Sequence, residues 1–406
     1  MHTVEIKPGI FWVGVNDHET DFFEGLWPIS EEGVSYNAYL IKDEKSVIID
    51  LAKELSTEEL FTQIQDKIDL AKLDYLIVNH VEPDHSGAIP ALLRLAPNLT
   101  IVGSKKAQNM LKCFYGIDID QRFLIANDGD ELSLGQHTLK FVCTPNVHWP
   151  ETIMTYEITE QILFSCDAFG SYGALDGSIF DDEVENKDFY IQEGQRYYAN
   201  IVSLFKKAVL NAIKKLADVP VKIIAPSHGL IWRKNPGEIL NLYKQWSEYC
   251  ISKFPRPAGI VMLVGSMYGN TTELAKAVAQ GVADEKLPLT IIDVLRTHPS
   301  HILSEVMAQE GLIIGAPTYE GVLYPPMAHT LSELAHKRFT SERTVARFGS
   351  YGWNGGGLRD FDSITNCLRW EIFDTLEFCG GASDDELAAA REFGAAYARL
   401  IKEKSA

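Results

Sequence analysis

Beyond residue 258 the chain alternates short apolar runs with amphipathic stretches, and this alternation limits its fold more than any other feature. "GIVMLVGS", "LTIIDVL", "GLIIGAP" and "TVARFGS" read as strands; "ELAKAVAQGVADE" and "DELAAAREFGAAYARLIKE" read as helices. Strands that are apolar along their whole length, with helices between them, predict a parallel doubly wound sheet covered on both faces. The pattern begins after "SKFPRPAGI", Ser252 to Ile260, whose two prolines cannot continue the helical "PGEILNLYKQWSEYCI". Two domains are therefore expected, residues 1–253 and 254–406.

The first half has a different order. "IFWVGV", "YNAYLIK" and "SVIID" are joined by short connections that favour antiparallel pairing. "YLIVN" and "LTIVGS" then alternate with the helical "GAIPALLRLA" and "KAQNMLKCFYG", and "TLKFVCT", "TIMTYEI" and "ILFSCD" follow as strands. This order predicts a mixed α/β sandwich with helices outside.

Composition narrows the function classes. A net charge of −19 without a long basic run argues against binding to nucleic acid or an anionic membrane. The start "MHTVEIKPGIFWVG" lacks a signal-peptide pattern, and the longest apolar runs are strand-length, so a cytoplasmic protein is expected. Cys113, Cys143, Cys166, Cys250, Cys367 and Cys379 are scattered with no C-x-x-C pair. That excludes a rubredoxin-type or zinc-ribbon site in this chain and predicts free, buried thiols in a reducing compartment.

The stretch "LIVNHVEPDHSGA", Leu76 to Ala88, crowds His80, Glu82, Asp84 and His85 onto the loop leaving an apolar strand. One metal cannot comfortably use four groups so closely spaced; two can. His148 follows the strand "LKFVCT", Asp167 follows "ILFSC", and His228 follows "KIIAP". Any one of these is explained by a cap or a hydrogen-bonded core histidine. Together they give four imidazoles and three carboxylates at strand exits in one half, enough for two metals.

A second constellation lies in the other half. "VGSMYGNTTELAKAV" runs from a strand through Ser266, Met267, Tyr268, Gly269, Asn270 and Thr271 into a helix. Hydroxyls and free N–H groups at a helix N-terminus bind phosphate, and glycine permits close backbone approach. Neither the G-K-[ST] ending of a Walker loop nor G-x-G-x-x-G is present. Pro317, Thr318 and Tyr319 follow the third strand, and Ser350, Tyr351, Gly352 and Trp353 the fourth, at the strand ends where open α/β sheets bind ligands. Their aromatic rings are suited to facing a flat ring system, although Tyr319 and Trp353 could instead cover the sheet edge.

The order of metal-capable residues resembles the metallo-β-lactamase superfamily, an αβ/βα sandwich whose hydrolases usually carry H-x-H-x-D-H and then His, Asp and His. Glu82 stands where the second histidine is expected, and H-x-E-x-D-H is the pattern of the flavodiiron proteins, or A-type flavoproteins. A carboxylate in place of imidazole adds a hard oxygen ligand and negative charge, favouring iron over zinc. The loop at Ser266–Thr271 resembles the flavodoxin phosphate loop. The two resemblances cover nearly the whole chain and imply a metallo-β-lactamase-like sandwich followed by a flavodoxin-like doubly wound parallel sheet.

The resemblance implies one iron on His80, Glu82 and His148, the other on Asp84, His85 and His228, and Asp167 bridging them. It also implies FMN, favoured over FAD because only a single-phosphate loop is present. The expected activity is reduction of dioxygen to water or of nitric oxide to nitrous oxide. Electrons are expected from a separate carrier, rubredoxin or a reduced deazaflavin, since no such module follows Ala406. The family's arrangement further implies a head-to-tail homodimer, alone or as a dimer of dimers. Two rival readings are a zinc hydrolase fused to a flavodoxin, and an electron carrier with a relict metal pocket.

One segment departs from the family. Where members commonly show phenylalanine, histidine and glycine over the substrate pocket, this chain reads Phe23, Glu24, Gly25, Leu26 and Trp27, so no pocket residue is carried over. His18 is read as a surface residue within reach of that pocket, His137 as a surface strand residue, and His298 and His301 as solvated positions.

Overall fold

A computed structural model of the chain describes residues 2–251, 255–338 and 342–405. Its contacts separate Met1–Gln245 from Trp246–Ala406. The boundary expected between Lys253 and Phe254 falls on residues outside the described ones.

Beside two short antiparallel pairs, Val15–Asp17 with Val34–Tyr36 and Phe22–Phe23 with Trp27–Pro28, the first unit holds two large sheets. One contains Val4–Lys7 (β1), Ile10–Trp12 (β2), Tyr39–Ile41 (β3), Val47–Ile49 (β4), Tyr75–Val78 (β5), Thr100–Gly103 (β6) and Phe123–Ile125 (β7), in that spatial order. Strands β1 to β4 pair antiparallel, through short connections except between β2 and β3, where residues 13–38 intervene, and β4 to β7 pair parallel through helical crossovers. The other contains Glu131–Ser133 (β8), Thr138–Cys143 (β9), Ile153–Glu157 (β10), Ile162–Cys166 (β11) and Ile223–Pro226 (β12). Only its last pair, β11 and β12, is parallel. Residues of β3, β4, β10, β11 and β12 are buried throughout, polar Thr155, Glu157 and Ser165 included, and β3, β4 and β12 read as unbroken apolar runs.

The sheets are tied across their shared core. The Tyr39 ring lies 4.9 Å from that of Phe164, and Thr155 Oγ1 donates to Asn79 Oδ1 at 2.7 Å. The exits of β5, β11 and β12 and the β9–β10 turn meet at one edge of this core, bringing together chemistry from distant parts of the chain.

The second unit is a five-stranded parallel sheet of Ile260–Val264 (β13), Leu289–Asp293 (β14), Gly311–Gly315 (β15), Thr344–Tyr351 (β16) and Glu371–Cys379 (β17), ordered β14-β13-β15-β16-β17. The order reverses between β13 and β15, the switch point at which such sheets bind ligands. Helices Asn270–Asp284 and Asp384–Ser405 pack closely at two glycines. A Cβ on Gly281 would come within 1.8 Å of Arg391 O, and one on Gly394 within 2.1 Å of Val278 O.

Several expectations are corrected. Strand β17 is absent from the sequence reading because it is an edge strand in which only Phe378 is buried. Only Cys166 and Cys250 are buried; Cys113, Cys367 and Cys379 are exposed, and all six cysteines are free. His137 is not a surface strand residue: it precedes β9 in a turn, is buried, and lies 3.1 Å through Nδ1 from Glu157 Oε1. His298 caps the helix Pro299–Ala308 and is half-buried, as is His301.

Candidate functional site

His80 follows β5 directly, and the next residues do not remain a loop: Pro83–Ser86 turn into a short helix carrying Asp84 and His85. Proline at its start suits a helix N-terminus, and Glu82 is its N-cap in an extended conformation. Asp167 leaves β11 between Cys166 and Phe169, both at positive φ (54° and 69°), a left-handed pair of turns that directs it out of the strand. His228 leaves β12, and His148 lies in the β9–β10 turn.

All seven residues converge. His80 Nε2 is 3.1 Å from Glu82 Oε2 and 3.3 Å from Asp167 Oδ2, and His148 Nε2 is 3.0 and 3.2 Å from the same two oxygens. On the other side, His85 Nε2 lies 2.9 Å and His228 Nε2 3.3 Å from Asp167 Oδ1, and each lies 3.4 Å from an oxygen of Asp84. Asp167 thus turns one oxygen to each group of side chains.

The atoms that meet here lack ordinary partners. Asp84 Oδ1, both oxygens of Asp167, both nitrogens of His85 and Nε2 of His228 are buried without a hydrogen bond. Unsatisfied lone pairs converging in a buried site cost free energy unless a cation fills the space between them. The same positions form two groups whose ligand atoms lie within 4.8 Å of one another, His80–Glu82–His148–Asp167 and Asp84–His85–His228. The donor set of imidazoles and hard carboxylate oxygens fits two iron ions.

Electrostatics agree with this geometry. Burial opposes the imidazolium form, yet the surrounding carboxylates hold His80 well above its ordinary pKa, His148 at about 9 and His228 at about 10. Asp167 is held well below the usual carboxylate range: burial opposes this, but His85, His148 and His228 prevail. The pocket therefore calls for positive charge, as protons or as metal.

Outer contacts fix these side chains. His80 Nδ1 is 2.6 Å from Glu151 Oε1, and His228 Nδ1 is 2.7 Å from the Ser35 carbonyl. Asn37 Nδ2 donates to the carbonyls of Pro226 and Gly229 at 2.8 and 2.9 Å, bracketing His228. Phe23, Tyr36 and Tyr197 put their rings 5.3, 5.6 and 5.7 Å from that of His228. Tyr197 precedes a π-helical turn, Tyr198–Val202, a distortion frequent at functional sites.

A cavity of about 600 Å³ opens above Glu82 and Asp84, lined in part by Phe22, Phe23, Glu24, Tyr36, Lys53 and Leu55. Glu24 is exposed as a residue, but its carboxyl end sits in this pocket. Burial of that end, and then the charge of Glu82, push it up to about 7. The sequence reading left this segment unassigned, and nothing in its spacing signals that Glu24 approaches Glu82. His18 is half-exposed and lies 3.3 Å from Asp176.

In the second unit, Ser266, Met267, Tyr268, Asn270, Thr271, Pro317, Thr318, Tyr319, Ser350, Tyr351, Gly352 and Trp353 line one cavity of about 380 Å³, joined by Glu320 and Gly380. Gly269 does not line it. Gly269 instead shapes the turn: at φ 101° it is the N-cap of Asn270–Asp284, and its N–H donates to Ser266 Oγ at 3.2 Å. That helix start carries no side-chain cap hydrogen bond, so its N–H groups remain available to a phosphate. The hydroxyls of Thr271 and Ser350 meet at 3.2 Å across two of the loops. A single-phosphate end and a cavity rimmed by Tyr319 and Trp353 fit FMN.

Comparison with known proteins adds independent findings. Residues 34–229 match the family described as ODP family beta lactamase, and residues 262–394 match Flavodoxin. The anaerobic nitric oxide reductase flavorubredoxin of Escherichia coli is 34% identical over 403 residues, spanning 98% of this chain and 82% of that one. The structure of the flavodiiron protein from Giardia intestinalis superposes with a TM-score of 0.93 at 26% identity, covering 100% of this chain and 98% of that one. Rubredoxin oxygen:oxidoreductase from Desulfovibrio gigas superposes with a TM-score of 0.93 at 28% identity, with 100% of both chains covered.

Proposed function

The chain belongs to the flavodiiron proteins, oxidoreductases carrying FMN and a di-iron site, and from that premise we propose which residues, substrates and partners serve the reaction. His80, Glu82 and His148 hold one iron, Asp84, His85 and His228 the other, and Asp167 is shared. When bound, the flavin supplies electrons in pairs and the irons supply open positions at which dioxygen or nitric oxide is reduced. The observation that carries this reading is that the two oxygens of Asp167 face two separate histidine pairs, 2.9–3.3 Å away.

The chain's own residues divide the remaining work. Phe23, Tyr36 and Tyr197 wall off His228 from water on its ring side. Glu24, whose carboxyl is poised near neutrality beside Glu82, is placed to pass protons into the pocket. Ser266 and Thr271, with the open helix start after Gly269, receive the FMN phosphate, while Tyr319, Tyr351 and Trp353 face its ring. Met267, Tyr268, Asn270, Pro317, Thr318, Ser350 and Gly352 complete the cradle.

Dioxygen, nitric oxide or both are the substrates, and the external donor is rubredoxin or a reduced deazaflavin. Residues 1–253 form the metal domain and 254–406 the flavin domain. Two chains pair head to tail, each flavin cradle against the partner's metal pocket. In support, Phe22, Leu26 and Leu55 stand exposed around the metal pocket, and Tyr268 and Trp353 are each 89% exposed at the flavin cavity. A cytoplasmic site of action fits the absence, among the described residues, of a helix long and apolar enough to cross a membrane.

Metal and flavin analysis of the purified protein tests the assignment. The reading expects two irons and one FMN per chain. Stoichiometric zinc with hydrolase activity would favour the hydrolase alternative.

A further inference from the structure

The two ligand groups differ in what stands behind their histidines. Glu151 is 2% exposed, and its Oε1 accepts from Val81 N at 3.0 Å while lying 2.6 Å from His80 Nδ1. Its Oε2 is buried without a partner, and the Val81 N–H is the other donor to its Oε1. Behind the other group, His228 Nδ1 meets only a neutral carbonyl, that of Ser35, and His85 Nδ1 meets nothing. Glu151 comes from the same turn as His148, and its carbonyl is held by Ser104 Oγ at 2.8 Å. Trp149 presses edge-on against the His80 ring, with centroids 5.0 Å apart, so the imidazole has little freedom to turn away from the carboxylate.

A carboxylate on the far nitrogen of a ligating imidazole pulls the N–H proton toward itself and makes the ligating nitrogen a stronger donor. Stronger donation and nearby negative charge both favour the more highly charged metal ion. Half-buried Glu82 and Asp84 match one another across the two groups, Asp167 gives each group one oxygen, and the charge of buried Asp50 acts on His85 first and then on His80. The asymmetry is thus one carboxylate in hydrogen-bond contact with the far nitrogen of an imidazole, applied through His80 and unmatched at His85 and His228.

We propose that Glu151 is a positioning residue that acts through His80 to keep the iron of the His80–Glu82–His148 group ferric longer than its neighbour. The first electron reaching the pair then settles on the Asp84–His85–His228 side. This rests on the ligand assignment proposed above.

The test is an EPR-monitored redox titration of the iron- and FMN-loaded protein, native and Glu151→Gln, with dithionite as reductant. Each iron takes one electron, Fe(III) to Fe(II), and dithionite is oxidised to sulfite. Glutamine preserves the acceptor for His80 and Val81 but removes the charge. The second of the two one-electron potentials should shift positive while the first stays in place, so the largest fraction of half-reduced pairs falls. An unchanged fraction, as expected if Glu151 served only as a geometric prop, or a larger one, would overturn the proposal.

If Glu151→Gln does not retain two irons, Glu151→Asp decides. That variant keeps the charge and should retain both irons and the native order of reduction; loss of iron there too would overturn the proposal. Native protein that binds no iron pair would instead defeat the ligand assignment, so the two failures are distinguishable.

Discussion

Oδ1 of Asp167 lies 2.9 Å from Nε2 of His85, and neither atom is aligned for a hydrogen bond with the other or with anything else. Two buried polar atoms this close with no hydrogen bond between them are arranged around a shared third centre. Asp167 repeats the relationship with His228 through the same oxygen, and its Oδ2 faces His80 and His148. The site is built outward from this one carboxylate.

Substitution of Asp167 should therefore affect both metals, and substitution of a histidine mainly one. Asp167→Ala is expected to leave little of either iron, whereas His148→Ala and His228→Ala should each retain about one per chain. Iron analysis and magnetic coupling measured on the three variants check this. Equal, independent losses in all three would show that Asp167 is not shared.

The metal-free protein should lose stability as pH rises. His148 and His228 are held at about 9 and about 10, above the ordinary value of about 6.5 expected in the unfolded chain. The folded state then binds more protons than the unfolded state between those values. The stabilisation is complete below about 6.5 and disappears as pH passes through the folded values. Calorimetry of the metal-free protein should show Tm falling from about pH 7 to about pH 10. With metal bound, the ligating nitrogens carry no proton, so the fall should be much smaller and metal affinity should rise over the same range.

Asn37 should matter to both stability and metal retention. Its Oδ1 accepts from Trp12 Nε1 at 2.8 Å while its amide holds the carbonyls on either side of His228. Asn37→Ala strands a buried indole N–H and loosens two carbonyl contacts, at a cost of about 1–3 kcal/mol. Denaturant unfolding measures that cost, and lowered iron content in the folded variant would show that His228 has lost its anchor.

Electron transfer between chains can be read by complementation. A Glu82→Ala chain is defective at the metal site. A Gly269→Asp chain is defective at the flavin site, because a side chain strains a backbone at φ 101° and a carboxylate repels phosphate at the helix start. Neither homodimer should turn over, but a verified heterodimer should regain activity at the one interface pairing an intact flavin with an intact metal site. No recovery would place the transfer within one chain.

The seven residues proposed as metal ligands stood out because they follow apolar strands, β5, β9, β11 and β12, where the residue pattern marks a loop edge. The loops that line the cavity of the second unit stood out for the same reason, at the ends of β13, β15 and β16. Residues that reach the site through tertiary contact left no such mark. Glu151 and Tyr197 look like ordinary turn and helix residues until Glu151 is seen behind His80 and Tyr197 beside His228. Glu24 falls where the chain departs from its family, so no pattern could assign it. His137 seemed to continue the alternation of β9, but the preceding turn folds it onto Glu157. Edge strand β17 escaped notice because a strand with so little buried surface has little apolar signal.

The central claim is that this one chain couples a flavin to a di-iron site that reduces a diatomic gas. Stopped-flow mixing of the anaerobically reduced protein with dioxygen, and separately with nitric oxide, tests it most directly when native protein is compared with Asp167→Ala. The account predicts rapid consumption of at least one gas by the native protein, in an amount set by the electrons stored in its reduced FMN and irons, with water or nitrous oxide as product. Asp167→Ala should keep its FMN and lose that rapid consumption. Equal gas consumption by the two proteins, or none by native protein containing two irons and FMN, would contradict it.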